Sequence, residues 1–205
     1  RHNVRLFTVV TNSRQSSGRN TAMLTIHHLR IGRSIFTVWA LEELGVEYAV
    51  KEYLRHPETM RGGDDLKVIH PLGKSPVIED GELVLSESGA ITSYLLEKYD
   101  SAQKLSPPRS DLNAWASYNQ WLHYSEGSVF TPLLINMLLM REEFPCPALT
   151  GFSQAEIALH LGHITNQLGE NEFILGKSFS AADFGISYAV SMAQRLGLLA
   201  NYPTL

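Results

Sequence analysis

Apolar residues recur along this chain with two different periods, and the change from one to the other divides it. Leu24 to Leu29 (LTIHHL) alternates and predicts a strand, with His27 and His28 on opposite faces. From Arg33 to Leu44 the apolar positions Ile35, Val38, Trp39 and Leu41 follow a helical repeat, and Gly45 stands where a helix stops. Glu47 to Tyr53 alternates again. Pro57 to Ile69 predicts a weaker helix, softened by Gly62-Gly63. Val77-Ile78 and Leu83 to Leu85 read as a hairpin turning at Asp80-Gly81. Glu87 to Tyr99 returns to the helical period through Ile91, Tyr94 and Leu95. The predicted order over residues 23–100 is β-α-β-α-β-β-α, a compact mixed sheet with helices.

Asp100 to Ser110 contains Pro107-Pro108 and small polar residues, and residues 101–110 are the expected linker. No strand pattern follows. Over 111–205 the apolar positions are helical: an aromatic-rich run from Asp111 to Arg141 in which Pro132 is expected to introduce a bend, then Ile157, Leu161, Ile164 and Leu168, then Ile186, Ala189, Val190, Ala193 and Leu196. Ser180 and Asp183 have capping-box spacing at the start of the last helix, with Phe179 and Phe184 at the hydrophobic-staple positions. That pair is expected to serve folding rather than chemistry.

Composition narrows the function. A hydrophobic fraction of 44% and a net charge of -4 are those of an ordinary globular chain. They disfavour nucleic acid or an anionic membrane as partner. No apolar run reaches the roughly 18 residues of a membrane span. The single cysteine, Cys146, precludes an internal disulfide and suits a reducing, cytoplasmic setting. No Cys/His cluster has zinc spacing, so no metal is expected. Residues 1–22 carry four arginines and no acid; a disordered extension ahead of Met23 is expected, with an organellar import segment as the alternative.

Candidate chemistry concentrates between His70 and Tyr99. Pro76 precedes an apolar pair, where proline opens an edge strand or occupies a special bend. Ser86-Glu87-Ser88-Gly89 then sets hydroxyls and a carboxylate at a helix start, where free N–H groups and the helix dipole receive an anion and Glu87 an ammonium. This is a receptor for a small zwitterion. His160 and His163 share a helix face and, lacking further ligands, are expected to be solvated.

The proline-opened hairpin (HPLGKSP), the EDGELVLSESGAI block, the FSAADF cap and an all-helical second half together resemble the cytosolic glutathione transferases, over about Met23 to Leu205. The Trp121 to Leu134 run and the HHL–GRS opening resemble a bacterial and fungal branch. The resemblance implies a thioredoxin-like N-terminal domain, an all-α C-terminal domain, glutathione as co-substrate, no metal, and a homodimer. It makes Pro76 a cis-proline whose neighbour Ser75 pairs with the cysteinyl part of glutathione. Glu87 and Ser88 would hold the γ-glutamyl end. Lys74 would face a ligand carboxylate, with Lys51 and His56 as weaker candidates.

The thiol-activating group belongs at the strand–helix junction, Leu29-Arg30-Ile31-Gly32-Arg33-Ser34. Relatives use Tyr, Ser or Cys there, and the similar branch commonly reads Ser-Arg-Ser where this chain has Gly32. The expectation is a Ser34 hydroxyl assisted by Arg33 and helix N–H groups. Trp115, Tyr118, Trp121, Tyr124 and Met137 are the candidates for an apolar co-substrate site. The implied activity is thiolate attack on a hydrophobic electrophile, with glutathione-dependent peroxide reduction as a further activity. The alternatives are a binding or regulatory module with little turnover and, more weakly, a thiol–disulfide oxidoreductase, which the absence of a junction cysteine argues against. Relatives usually continue past Leu205 with helical turns that close over the co-substrate pocket.

Overall fold

The computed structural model describes residues 23–205, so the expectations for residues 1–22 lie outside the described residues. Four strands, β1 (Thr25–Leu29), β2 (Ala49–Tyr53), β3 (Val77–Asp80) and β4 (Leu83–Ser86), form one sheet in the order β2-β1-β3-β4. β1 and β2 run parallel, with Leu29 beside Tyr53, while β3 is antiparallel to both β1 and β4. Helices α1 (Ile35–Leu44), α2 (Asp64–Ile69) and α3 (Ser88–Tyr99) complete the predicted β-α-β-α-β-β-α order.

Alternation along the strands decides what each face carries. Ile26 and Ile78 are fully buried with Phe36, Ala40 and Leu41 of α1 and Ile91 and Leu95 of α3. Leu29 and Tyr53 face the other way and close over Leu66 of α2. His27 shares this second face, held between the Tyr53 hydroxyl at 2.8 Å and Glu79 at 2.8 Å. His28 points to the first, as period-two geometry requires.

Two of the predicted boundaries in this half move. The helix expected from Pro57 begins only at Asp64, because residues 55–62 close into a loop of their own, bridged between Arg55 and Gly62. The hairpin turns one residue later than expected. Asp80 still pairs with Leu83, its carboxylate taken by Tyr94 and Lys98 of α3, and Gly81 adopts the left-handed conformation.

The helical half contains α4 (Leu112–Tyr124), a π-turn (Ser125–Val129), α5 (Phe130–Leu139), α6 (Pro147–Leu168) and α7 (Ala182–Arg195). The break expected at Pro132 falls earlier. The π-turn, in which Phe130 N–H reaches back to Ser125 C=O, absorbs the discontinuity and leaves Pro132 in the first turn of α5, where its missing donor costs little. At the same level α7 comes close: a Cβ on Gly185 would fall 2.0 Å from Ser125 Oγ, so only glycine allows this approach.

The start of α7 matches half of its capping box. Asp183 returns the expected bond by accepting Ser180 N–H at 2.9 Å, and its other oxygen accepts Ile174 N–H at 2.8 Å. The Ser180 hydroxyl, however, donates to the same carboxylate at 3.1 Å instead of accepting a helix N–H. A buried charged acceptor outcompetes a backbone donor for that hydroxyl. The expected staple is present, with the Phe179 and Phe184 rings 5.6 Å apart, edge to face.

Candidate active site

Three chain segments meet where β1 ends. Ser75–Pro76 is a cis peptide, and the Ser75 side chain is joined to β1, accepting Leu29 N–H at 3.1 Å and donating to His27 C=O at 2.7 Å. β4 leads into α3 through Glu87, which takes φ 75° and ψ 120°, a conformation costly for any residue with a Cβ, at about 1–3 kcal/mol. Its carboxylate is exposed with no ion-pair partner among the described residues. Ser88 follows as the first residue of α3, almost fully buried. Lys74 is exposed beside Ser75. The structure therefore brings Lys74, Ser75, Pro76, Glu87 and Ser88 to one strip: a backbone edge, a lone carboxylate, a lone ammonium and a helix N-terminus.

Lys51 is not part of the strip. It lies on edge strand β2, separated from Ser75 by β1, and its ammonium packs 5.4 Å from the centre of the Tyr53 ring. His56 is turned into its own loop, its Nδ1 accepting Glu58 and Thr59 N–H.

The junction between β1 and α1 corrects the expectation for Ser34. This residue has 0% exposure, and its hydroxyl is 2.8 Å from His28 Nδ1. Burial pulls the His28 imidazole below its ordinary pKa, partly opposed by Glu52. The pair is therefore a neutral, part-buried hydrogen bond at neutral pH, and the Ser34 hydroxyl is turned inward. What the junction presents outward is backbone and arginine. Among the described residues Gly32, Arg33 and Ser34 N–H have no backbone partner, as expected ahead of a helix. Arg33 reaches into the helical half, donating to Glu126 Oε2 at 2.6 Å and lying 4.6 Å over the Phe130 ring.

Glu126, Phe130 and Tyr188 are the site's unforeseen members. Glu126 sits in the π-turn with its carboxyl lifted above the usual range by burial, which Arg33 partly offsets. Its Oε1 is buried without a partner. A crevice of about 10 Å³, room for one water, separates this turn from Ser88, Gly89 and Thr92 of α3. Tyr188 of α7 packs edge-on to Phe36 at 5.2 Å and 6.0 Å from Phe130. One signal for Glu126 was available: it is the only Asp, Glu, Lys or Arg between Leu112 and Met140. Its partner 93 positions away was not.

The aromatic candidates of α4 lie elsewhere. Trp115 packs under the Arg109 guanidinium at 4.9 Å. Tyr118 is 1% exposed at the level of Asp100, the far end of α3 from Ser88, with its hydroxyl unpartnered and its pKa pushed up by burial. Trp121 stacks on His163 at 5.1 Å, and the Tyr124 hydroxyl is 2.6 Å from His160 Nδ1. Both therefore face α6; His160 is half-buried against Tyr124, while His163 has the solvent exposure expected of it, with one ring face on Trp121. Met137 is half-buried on α5. None of the five lines the crevice, nor the larger cavity of about 230 Å³ between α6 and α7, closed by Thr204 and Leu205. Among the described residues no group of His, Cys, Asp and Glu suits a metal ion, and no helix is long and apolar enough to cross a membrane.

Comparison with known proteins bears on the family and the fold. Residues 24–97 match the family described as the N-terminal domain of glutathione S-transferases. Over 188 residues, 84% of this chain and 75% of the relative, the chain is 32% identical to glutathione S-transferase 3 of Schizosaccharomyces pombe. A crystal structure of a glutathione S-transferase from Actinobacillus pleuropneumoniae superposes with a TM-score of 0.79 at 32% identity, covering 88% of this chain and 82% of that one. A glutathione transferase homolog from Lodderomyces elongisporus, solved with two GSH per subunit, shares the fold at 21% identity, with a TM-score of 0.69 over 87% and 92% of the two chains.

Proposed function

Because the chain belongs to the glutathione S-transferase family, we propose that it binds glutathione along the Lys74–Ser88 strip and stabilises its thiolate at the Gly32–Ser34 helix start. The observation that supports this reading is the hydrogen bonding of Ser75 to the end of β1, which brings the Lys74–Ser88 strip beside the unpartnered N–H groups of Gly32 and Arg33. Glu87 takes the γ-glutamyl ammonium, the N-terminus of α3 takes its carboxylate, and the Ser75 backbone pairs with the cysteinyl unit. The thiol then falls at the start of α1.

Magnitudes decide which group activates it. A free thiol titrates near 8.5, and lowering this by two units needs about 3 kcal/mol. A helix N-terminus supplies about 0.3–1 kcal/mol, up to about 2 in part-buried geometry. A hydrogen bond to a charged group adds about 1.5–3 kcal/mol. The helix end alone falls short, and Arg33 makes up the difference; Ser34, turned to His28, does not contribute directly. This revises the role expected of Ser34 and keeps that of Arg33.

The thiolate attacks an electrophilic carbon, forming the C–S bond as the leaving group departs with its electron pair. With an organic hydroperoxide it attacks the terminal oxygen, releasing the alcohol, and a second glutathione completes the disulfide and water. Phe130 and Tyr188, rather than the aromatic residues of α4, form the apolar wall beside Arg33. The protein acts in the cytoplasm as a homodimer, a second copy covering Leu83 and Val84 on edge strand β4.

Calorimetry with glutathione, paired with turnover of a halogenated aromatic and of cumene hydroperoxide, tests the proposal. Binding with turnover of at least one is expected. Tight binding with neither activity would leave a glutathione-binding module, the reading that the buried Ser34 and Gly32 favour as the alternative.

A further inference from the structure

Arg55 makes three hydrogen bonds and all go to backbone carbonyls. Nε donates to Arg30 C=O at 3.0 Å, Nη2 to Ile31 C=O at 2.7 Å and Nη1 to Met60 C=O at 2.6 Å. No carboxylate pairs with it among the described residues. The planar fork thus ties the 55–62 loop to the junction at the two residues before Gly32. Lysine, a single point charge on a flexible stem, does not reproduce such a fork.

Those residues need holding. Ile31 is β-branched yet adopts φ 56°, in the left-handed region that such side chains avoid. Its side chain is 72% exposed, so apolar packing does not retain it. The neighbouring Arg30–Glu52 ion pair is largely exposed at both ends and holds little. The following position is equally confined. A Cβ on Gly32 would lie 2.9 Å from Leu29 C=O and 3.3 Å from Arg55 Nη2. Glycine is therefore the residue that a loop drawn onto Arg55 can accept at position 32. Its N–H and that of Arg33 are the unpartnered, part-exposed donors ahead of α1.

We propose that Arg55 is the positioning residue of thiol activation: by clamping the Arg30 and Ile31 carbonyls it aims the Gly32 and Arg33 N–H groups and the Arg33 side chain at the sulfur. It acts through the loop and touches no substrate. This inference rests on the proposed activation of glutathione at the junction.

The test is a pH titration of bound glutathione, followed by the ultraviolet absorbance of its thiolate, in the wild type and in Arg55→Ala, Arg55→Lys and Gly32→Ala. Glutathione affinity and melting temperature are measured alongside. In the wild type the bound thiol titrates well below its free value. Arg55→Ala moves that titration up by about one pH unit, a tenfold loss of thiolate at fixed pH, and Arg55→Lys behaves like Ala. Affinity measured below the pKa of the bound thiol, where the Lys74–Ser88 strip alone sets it, changes less than about threefold. Gly32→Ala, whose Cβ displaces the same loop with Arg55 intact and adds no hydroxyl, shifts the thiol in the same direction and decides the matter if Arg55→Ala does not fold. A wild-type thiol titrating at its free value overturns the activation reading itself. A lowered wild-type value left unchanged by the folded variants overturns the role of Arg55 alone.

Discussion

The strip from Lys74 to Ser88 and the junction from Leu29 to Ser34 lie side by side, yet they are built from different materials. The strip is consecutive chain: a hairpin whose register is set by adjacent residues, ending in a helix start. The junction takes its shape from afar. Arg55 clamps its carbonyls, His28 turns Ser34 inward, and Arg33 is held by Glu126, 93 residues on. A site that recognises a peptide can be written in one short segment, because recognition uses backbone and helix-end groups that local sequence specifies. A site that perturbs a pKa needs charge and burial, which only the folded chain assembles.

The two regions should fail differently when altered. The largest effect is expected at the strip. Glu87→Ala removes the acceptor for the ligand's ammonium and should raise the glutathione Kd by about 10–100-fold, the weight of a charged hydrogen bond, while kcat at saturating glutathione is largely kept. Calorimetry and saturation kinetics read the two separately, and a kcat loss equal to the affinity loss would break the division of labour. Next comes Arg33→Ala, with kcat/KM reduced about tenfold as about 1.4 kcal/mol of thiolate stabilisation is removed, while the glutathione Kd measured at a pH where the bound thiol is protonated stays within about twofold because the strip is untouched.

Glu126→Gln should act more weakly and through pH. Burial lifts the Glu126 carboxyl, so between the ordinary carboxylate range and its raised value the folded protein binds more protons than the unfolded chain. Wild-type stability therefore declines as pH rises through that window. Denaturation across a pH series should show a flatter dependence for the glutamine variant, and an unchanged slope would remove Glu126 as its source. The smallest effect on chemistry is expected from Ser34→Ala, with kcat/KM altered less than about twofold because the hydroxyl faces His28. His28 gives the opposite pH signature. Its pKa is lowered by burial, so the unfolded chain binds more protons and stability falls as pH drops below its ordinary value of 6.5. His28→Gln should lose that acid sensitivity.

The same contrast governs what could be read from the sequence. Strand and helix order followed directly from the two periodicities, because the sheet buries one face against α1 and α3 and the other against α2. The proline, the Glu-Ser pair and the Phe179–Phe184 staple were legible for the same local reason. What escaped was relational. Nothing near Ser34 says that His28, six positions earlier, will take its hydroxyl. The aromatic residues of α4 display a helical period but not which neighbour each row meets; Trp121 and Tyr124 face α6, while Ser125 and Glu126 turn toward α3 and α7. The π-turn, which sets that phase, leaves no composition signal of its own.

The central claim is that the sulfur of glutathione is received by arginine and backbone at Gly32–Ser34 and not by a hydroxyl. A crystal structure of the protein with glutathione addresses it directly. The account predicts the sulfur within about 3.5 Å of the Arg33 guanidinium or of the Gly32 or Arg33 N–H, with the Ser34 hydroxyl still bonded to His28. A sulfur bonded instead to the Ser34 or Tyr188 hydroxyl, out of reach of the Arg33 guanidinium and of those N–H groups, would contradict it.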